Sequence, residues 1–285
     1  MSFLNKGVMR LGMLIITVIL AIILVYISLT QSFKVTTYEI TSEKQITNLR
    51  IVFVSDLHLK EYGKDNSRLL KKIRDLEPSL IAVVGDSIIY NVDNHDSAIN
   101  FLNRASEIAP TYFSAGNHEW SQLFDNQDSK LYNDLVNCNA RFLNNELCTL
   151  NVNGENVVIC GMYDSVDAKY ITTNLILTEL NGDENADKFK LLMSHCPMTI
   201  ANTQVTPQAD LVLSGHEHGG QIIIPFTNQG LFSRNQGWLP KYTQGIHTIA
   251  GNTVIISTGL SNSDLIIPRI NNMPELVVID VNKQQ

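Results

Sequence analysis

Residues 50–58 read RIVFVSDLH, and the reading of that stretch decides the fold. A short apolar run rich in β-branched and aromatic side chains predicts a strand, and it closes on an acid and an imidazole at Asp56-Leu57-His58. Two further stretches have the same form, LIAVVGD at 80–86 and TYFSAGNHE at 111–119. Between them lie the helix-like SRLLKKIRDLEP at 67–78 and a helical pattern near 96–107, so the rhythm is β-α-β-α-β.

The second half repeats the theme more loosely. NVVICGM, KLLMSHC, DLVLSGHEH, QIIIPF, NTVIISTGL and ELVVIDV each predict a strand, several of them dense in the Val and Ile that central buried strands favour. The expected fold class is α/β, a four-layer αββα sandwich of two mixed sheets flanked by helices. Polar residues gather just past the carboxyl ends of the strands, where open α/β sheets place their ligands.

Those ends are Asp56-Leu57-His58, Gly85-Asp86, Gly116-Asn117-His118-Glu119, Ser194-His195 and Gly215-His216-Glu217-His218. Parallel neighbours lie about 4.8 Å apart, so residues distant in sequence can share one ion or two. Taken singly each has a bland explanation: a histidine near a strand end is usually a hydrogen-bonded structural group, and Asp after Gly a turn residue. The ordered set of five, with Gly85, Gly116 and Gly215 placed directly before three of them, has no packing explanation. Glycine there lets the backbone turn sharply and approach an ion closely.

The ordered pattern D-x-H, G-D, G-N-H-[DE], H, G-H-x-H resembles that of the calcineurin-like metallophosphoesterases. GHEHGGQIIIPF, STGLS and PRINNMPEL further resemble the YkuE/YaeI-type branch of membrane-associated enzymes. Together the likeness runs from about residue 50 to the C-terminus. It implies that Asp56, His58, Asp86 and His218 surround one metal and Asp86, Asn117, His195 and His216 the other, with Asp86 bridging both. His118 would be the site histidine that is not a ligand and would stabilise developing charge or protonate the leaving group. Two divalent ions in such a site lower the pKa of a water held between them and clamp phosphoryl oxygens. Mixed nitrogen and oxygen donors favour Mn²⁺, Fe or Zn²⁺ over Ca²⁺.

Many relatives continue G-D-x-x-D, whereas Gly85-Asp86 is followed here by Ser87, Ile88, Ile89 and Tyr90. Asp93, His95 and Asp96 are the candidate replacements, against a solvated loop as the plainer reading. Glu119, Glu217 and Gln221 are candidates for orienting the imidazoles, although exposed surface positions would explain them as well. Cys196 follows His195 directly and, on a strand, would point to the opposite face. His247 falls outside every motif and reads as structural.

The N-terminal segment carries its own prediction. LGMLIITVILAIILVYISL at 11–29 is uncharged, and its helical length of about 28 Å suits a single membrane span. No small-residue cleavage pattern follows it. The expected organisation is a short segment 1–10, an anchor 11–29, a connector 30–49 and a catalytic domain 50–285. Basic residues near the span are balanced, Lys6 and Arg10 before it and Lys34 and Lys44 after it, and Arg10, flush with the apolar run, places the catalytic domain outside the cytoplasm.

With 285 residues, 44% of them hydrophobic, the chain can bury one sizeable α/β core. A net charge of −7 argues against a basic stripe, so no nucleic acid is expected as partner and a metal-dependent nuclease is a lesser alternative. A catalytically weak metal-binding scaffold is another, disfavoured because every ligand-type position is intact. Cys138, Cys148, Cys160 and Cys196 form no C-x-x-C pair and leave their pairing open. The expected partner is a phosphate-ester substrate, a phosphodiester or pyrophosphate that is lipid-linked or nucleotide-linked. Relatives of the branch are associated with phosphodiesterase and UDP-2,3-diacylglucosamine pyrophosphatase activity. The region 226–247, with Phe226, Phe232, Trp238 and Tyr242, is the candidate for a substrate-lining or lipid-facing cap, with an ordinary packed loop as the alternative.

Overall fold

The computed structural model describes residues 10–20, 32–44, 46, 48–125, 127–162, 172–261 and 268–284. The chain separates into two units, Met1–Phe33 and Lys34–Gln285. In the first, residues 10–20 form a helix, α1, whose apolar side chains are largely uncovered, Leu14 at 61% and Ile16 at 58% exposure. Among the described residues no helix is long and apolar enough to cross a membrane. Residues 21–29 of the expected anchor lie outside the described residues.

The second unit follows the expected order through β2 (Leu49–Val54), α2 (Ser67–Asp75), β3 (Leu80–Val84), α3 (Asp96–Ser106) and β4 (Thr111–Ser114). These three strands run parallel. The chain then passes through α4 (Asn117–Trp120) and α5 (Ser129–Asn137) to the short β5 (Arg141–Phe142), which extends the sheet beyond β4. On the other side β14 (Glu275–Lys283) lies antiparallel to β2, and β1 (Lys34–Ser42) runs parallel to β14. The result is one mixed sheet of six strands.

The stretch 30–49, expected as a connector, therefore contributes a strand to the domain. KVTTYEITS pairs with β14 from Lys34↔Glu275 to Ser42↔Lys283. It alternates along its length, and Tyr38 and Ile40 pack against the core. Only that tertiary cover makes the polar segment a stable edge strand.

The second sheet has the order β12 (Gly245–Ile249), β13 (Asn252–Ile256), β9 (Leu211–Ser214), β8 (Phe189–Met193), β7 (Glu155–Gly161), β6 (Glu146–Val152). Its four inner strands are parallel, and both edge strands are antiparallel to their neighbours. QIIIPF is not a strand, contrary to its sequence. Gly219, Gly220 and Gln221 take φ values of +65°, +67° and +62°, which turns the chain just before it. Its described pairing is limited to the isolated bridges Ile222↔Ile270 and Ile223↔Gly230.

The two sheets meet face to face. Ile51 and Phe53 of β2, Leu80 and Ala82 of β3 and Val277 and Ile279 of β14 share one buried cluster with Val157, Ile159, Phe189, Leu191 and Leu213 of the other sheet. Each large side chain so buried contributes about 1.5–3 kcal/mol. The alternate residues Val158, Leu192, Val212 and Val254 face outward against Leu177 and Leu180 of α6 (Thr172–Leu180) and Ile200 of α7 (Pro197–Asn202). Leu69, Leu70 and Ile73 of α2 and Phe101 and Leu102 of α3 are likewise buried. This is an α/β fold of two packed mixed sheets with helices, and it brings the carboxyl ends of β2, β3, β4, β8 and β9 to the turns that carry the polar motifs.

Candidate metal centre

The side chains at these strand ends converge. Asp56, His58 and His218 form one group whose donor atoms all lie within 4.8 Å of one another, and Asp86, His195 and His216 form a second. Asp86 stands between them. Its Oδ2 is 3.1 Å from His195 Nε2, 3.8 Å from His58 Nε2 and 3.9 Å from His118 Nε2. Asp56 Oδ1 is 3.6 Å from both His195 Nε2 and His218 Nε2.

The turns that aim these groups are unusual. Asp56, His58, Asp86, His216 and His218 all have positive φ, between +45° and +68°. Non-glycine residues seldom adopt that region, and each such conformation costs on the order of 1–3 kcal/mol. Five of them at one place is strain spent on directing side chains into a shared space. Gly85, at φ +69°, precedes Asp86, and a Cβ there would lie 2.7 Å from Gly116 Cα and collide with the His195 ring. A Cβ at Gly215 would strike Ser55 Oγ and Asp56 Oδ2.

Burial raises the pKa of a carboxylic acid, but the surrounding imidazoles outweigh it here. His218 and His195 hold Asp56 below the usual carboxylate range. His195 and His118 hold Asp86 well below it. His216 is pushed down to about 4, first by burial and then by the neighbouring His195. Ionised Asp56 and Asp86 and a neutral His216 are the protonation states that a divalent cation requires of its ligands.

Asn117 opens the four-residue helix α4 and lines the same cavity as Asp86, His118 and His216. Its Oδ1 is buried with no hydrogen-bond partner among the described residues. Such an orphaned acceptor costs about 1–3 kcal/mol, and a cation would satisfy it. The donor set and this unpaired oxygen fit a divalent metal centre. His118 is not set apart by position alone, since with His58 and Asp86 it forms a third compact group.

Partners not named by the sequence motifs hold the centre in place. Tyr90 donates its backbone N–H to His118 Nδ1 at 2.8 Å, which leaves the proton of a neutral imidazole on Nε2, facing Asp86. Asp93 and Asp96 belong to none of the compact groups, and the buried His95 lies 3.3 Å from Asp128 instead.

Glu119 is buried and orients no imidazole. Its carboxylate accepts the N–H groups of Asp86, Ser87, Ile88 and Gly116 at 2.7–3.0 Å. Reaching back to Gly116 completes half of a capping box for α4. Burial and the charge of Asp86 nevertheless push its pKa up.

Arg269 lies beyond every strand-end motif. Its guanidinium binds the carbonyl oxygens of Ser261, Thr258 and His218, and its Nη2 lies 3.2 Å from His218 Nδ1. Asn272 donates to the same His218 carbonyl at 2.7 Å. The only available signal was their place in PRINNMPEL.

Cys196 does not follow the strand alternation expected of it, because β8 ends at Met193 and Cys196 caps α7. Its Sγ lies 3.5 Å from Asn235 Nδ2, which is also 2.8 Å from His216 Nε2. All four cysteines carry free thiols. His247 sits outside the centre, near the Gln244 carbonyl at 2.8 Å. The aromatic region divides: Phe232 lines the cavity, Tyr242 packs against the outer core, and Phe226 and Trp238 are exposed.

A family model described as calcineurin-like phosphoesterase matches residues 49–220. An uncharacterized metallophosphoesterase of Campylobacter jejuni is 29% identical over 226 residues, 77% of this chain and 58% of the relative. A Bos taurus protein named transmembrane protein with metallophosphoesterase domain is 27% identical over 203 residues, 66% of this chain and 45% of its own length. The chain thus spans about half the length of these relatives. In fold it is similar to the 5′-nucleotidase precursor of Thermus thermophilus, with a TM-score of 0.50 at 14% identity over 74% of this chain and 49% of that one.

Proposed function

The chain belongs to the calcineurin-like phosphoesterase family, and from that membership we propose that it is a metal-dependent hydrolase of phosphate esters, of phosphodiesterase or pyrophosphatase type. The observation that carries this reading is the convergence of Asp56, His58 and His218 with Asp86, His195 and His216, Asp86 standing between the two groups. Asn117, with its unsatisfied Oδ1, completes the second group.

Two divalent ions, Mn, Fe or Zn, would supply a water of lowered pKa and positive charge for the phosphoryl oxygens. The chain's own residues do the rest. Asp86 and Asp56, kept ionised by the facing imidazoles, anchor the charge. His118, with its proton held on Nε2 by the Tyr90 N–H, donates toward the cavity and stabilises the charge that develops on a phosphoryl or leaving oxygen. Glu119 fixes the loop of Asp86 so that the acid is aimed before substrate arrives.

The finer reading is a lipid-linked or nucleotide-linked substrate and a single-pass membrane anchor with the catalytic domain outside the cytoplasm. Support comes from the uncharged 11–29 segment and from the exposed apolar side chains of α1. The placement in the YkuE/YaeI-type branch is supported by PRINNMPEL, whose Arg269 and Asn272 hold the turn at His218.

The test uses the purified full chain loaded with each metal in turn. It should hydrolyse bis-p-nitrophenyl phosphate, and chelation should abolish the activity. Protein that holds two ions per chain yet turns over no monoester, diester or pyrophosphate diester would overturn the proposal.

A further inference from the structure

We infer that Arg234 is a substrate-binding residue that selects phosphate esters whose leaving group carries a second phosphate; the inference rests on the hydrolase reading above. The residue sits on a two-stranded hairpin, β10 (Phe232–Ser233) and β11 (Gly237–Trp238), that lines the cavity of the candidate centre. Arg234 shares that cavity with Asp86, Asn117, His118 and His216.

Its neighbours fix the hairpin on both sides. The Gln236 N–H donates to Ser233 Oγ at 3.2 Å, and Asn235 Nδ2 lies 2.8 Å from His216 Nε2. Gln236 Oε1 also accepts the N–H groups of Lys241 and Tyr242 at 3.0 Å. Phe232 and Trp238 meet edge to face at 5.4 Å. Every polar residue from Ser233 to Gln236 is therefore engaged except one. Arg234 is exposed, and no acceptor or carboxylate engages it among the described residues.

An arginine on a mobile surface loop would be an ordinary solvated charge. This one is presented to the cavity by a loop that is bonded to the turn carrying His216. The charge balance gives it a task. Two carboxylates and two divalent cations leave the centre at roughly +2, enough for the oxygens of the phosphoryl group under attack. A further cation at the rim is useful when the ligand brings further negative charge. The planar guanidinium suits the two non-bridging oxygens of an adjacent phosphate. A phosphoanhydride diester fits this arrangement, with one phosphate at Asp86 and the departing one at Arg234.

The experiment measures binding to the manganese-loaded full chain by calorimetry, with P,P′-dimethyl methylenediphosphonate and dimethyl phosphate as non-hydrolysed probes. The parent should bind the diphosphonate more tightly, and Arg234→Ala should weaken it by roughly 10–100-fold, the scale of a lost charge-assisted contact. Dimethyl phosphate should change less than about 3-fold. Arg234→Lys should recover part of the loss, and Lys241→Ala, which removes one positive charge from the same loop, should change neither. Equal affinities of parent and Arg234→Ala for the diphosphonate, or equal losses for both probes, would overturn the assignment. Turnover of bis-p-nitrophenyl phosphate reports separately on the hydrolase reading, because these affinities need no catalysis.

Discussion

Glu119 accepts the backbone N–H of Asp86 at 2.8 Å, so one buried acid sets the main chain that carries the other. The same carboxylate takes three more N–H groups, from Ser87, Ile88 and Gly116, and ties the turn after β3 to the start of α4. Asp86 and Asn117, which the proposed second metal site needs together, are thereby held by a single side chain.

Glu119→Ala should therefore leave four buried N–H groups without their acceptor. We expect a loss of about 3–4 kcal/mol in urea unfolding and a lower Tm by roughly 10 °C. Glu119→Gln, which keeps one oxygen acceptor, should lose about half as much. A change below about 1 kcal/mol for the alanine variant would show that the carboxylate is not the organising group.

Removal of proposed ligands should separate from removal of the proposed donor. Asp86→Ala and His216→Ala should lose bound metal and hydrolysis together. His118→Ala should keep its metals, measured by elemental analysis, and turn over bis-p-nitrophenyl phosphate on the order of 10²–10⁴-fold more slowly. Parent-like turnover in His118→Ala would remove His118 from the mechanism.

The depressed pKa of His216, about 4, gives a pH window. An unfolded histidine takes its proton near 6.5, so between about 6.5 and 4 the unfolded chain binds a proton that the folded chain refuses. This contribution is fully present above about pH 6.5 and diminishes as pH falls, by roughly 3 kcal/mol across the window. Asp56 and Asp86, whose pKa values are lowered, give up their stabilising effect only as pH falls further, through their folded values. Urea titrations of EDTA-treated protein should show the slope, and His216→Gln should flatten it. An unchanged slope in that variant would assign the effect elsewhere.

Truncation tests the role of β1. A chain lacking residues 1–33 keeps every strand of the second unit and should remain folded. A chain lacking residues 1–44 loses β1 and bares the edge of β14 along its full length, so it should aggregate or melt at least about 10 °C lower. Equal melting temperatures for the two would contradict the observed pairing.

Much of this was legible in the sequence because the central strands are continuous apolar runs that end in chemically distinct residues. RIVFVSD, LIAVVGD and DLVLSGHEH name both the strand and the turn beyond it. β1 was hidden for the opposite reason: KVTTYEITS is polar, and the partner that covers it lies more than 200 residues away. QIIIPF misled because its composition favours a strand while the positive φ of Gly219 to Gln221 breaks the path. The β6–β7 hairpin carries a local signal in Asn153-Gly154, at φ +53° and +89°. The supporting shell was least legible. Nothing in Tyr90 foretells that its main-chain N–H serves His118, and the reach of Glu119 to Asp86 depends on a turn that only the fold creates.

Because β14 is inserted between β1 and β2, the first sheet stays open until synthesis has passed residue 283. The ribosome releases β1 and β2 long before β14, the strand that unites them. Until then both present bare edges to the surroundings, a state that invites chaperone contact and mispairing. Completion of this sheet therefore waits on β14, and a premature stop ahead of residue 275 would remove the keystone that joins β1 to β2.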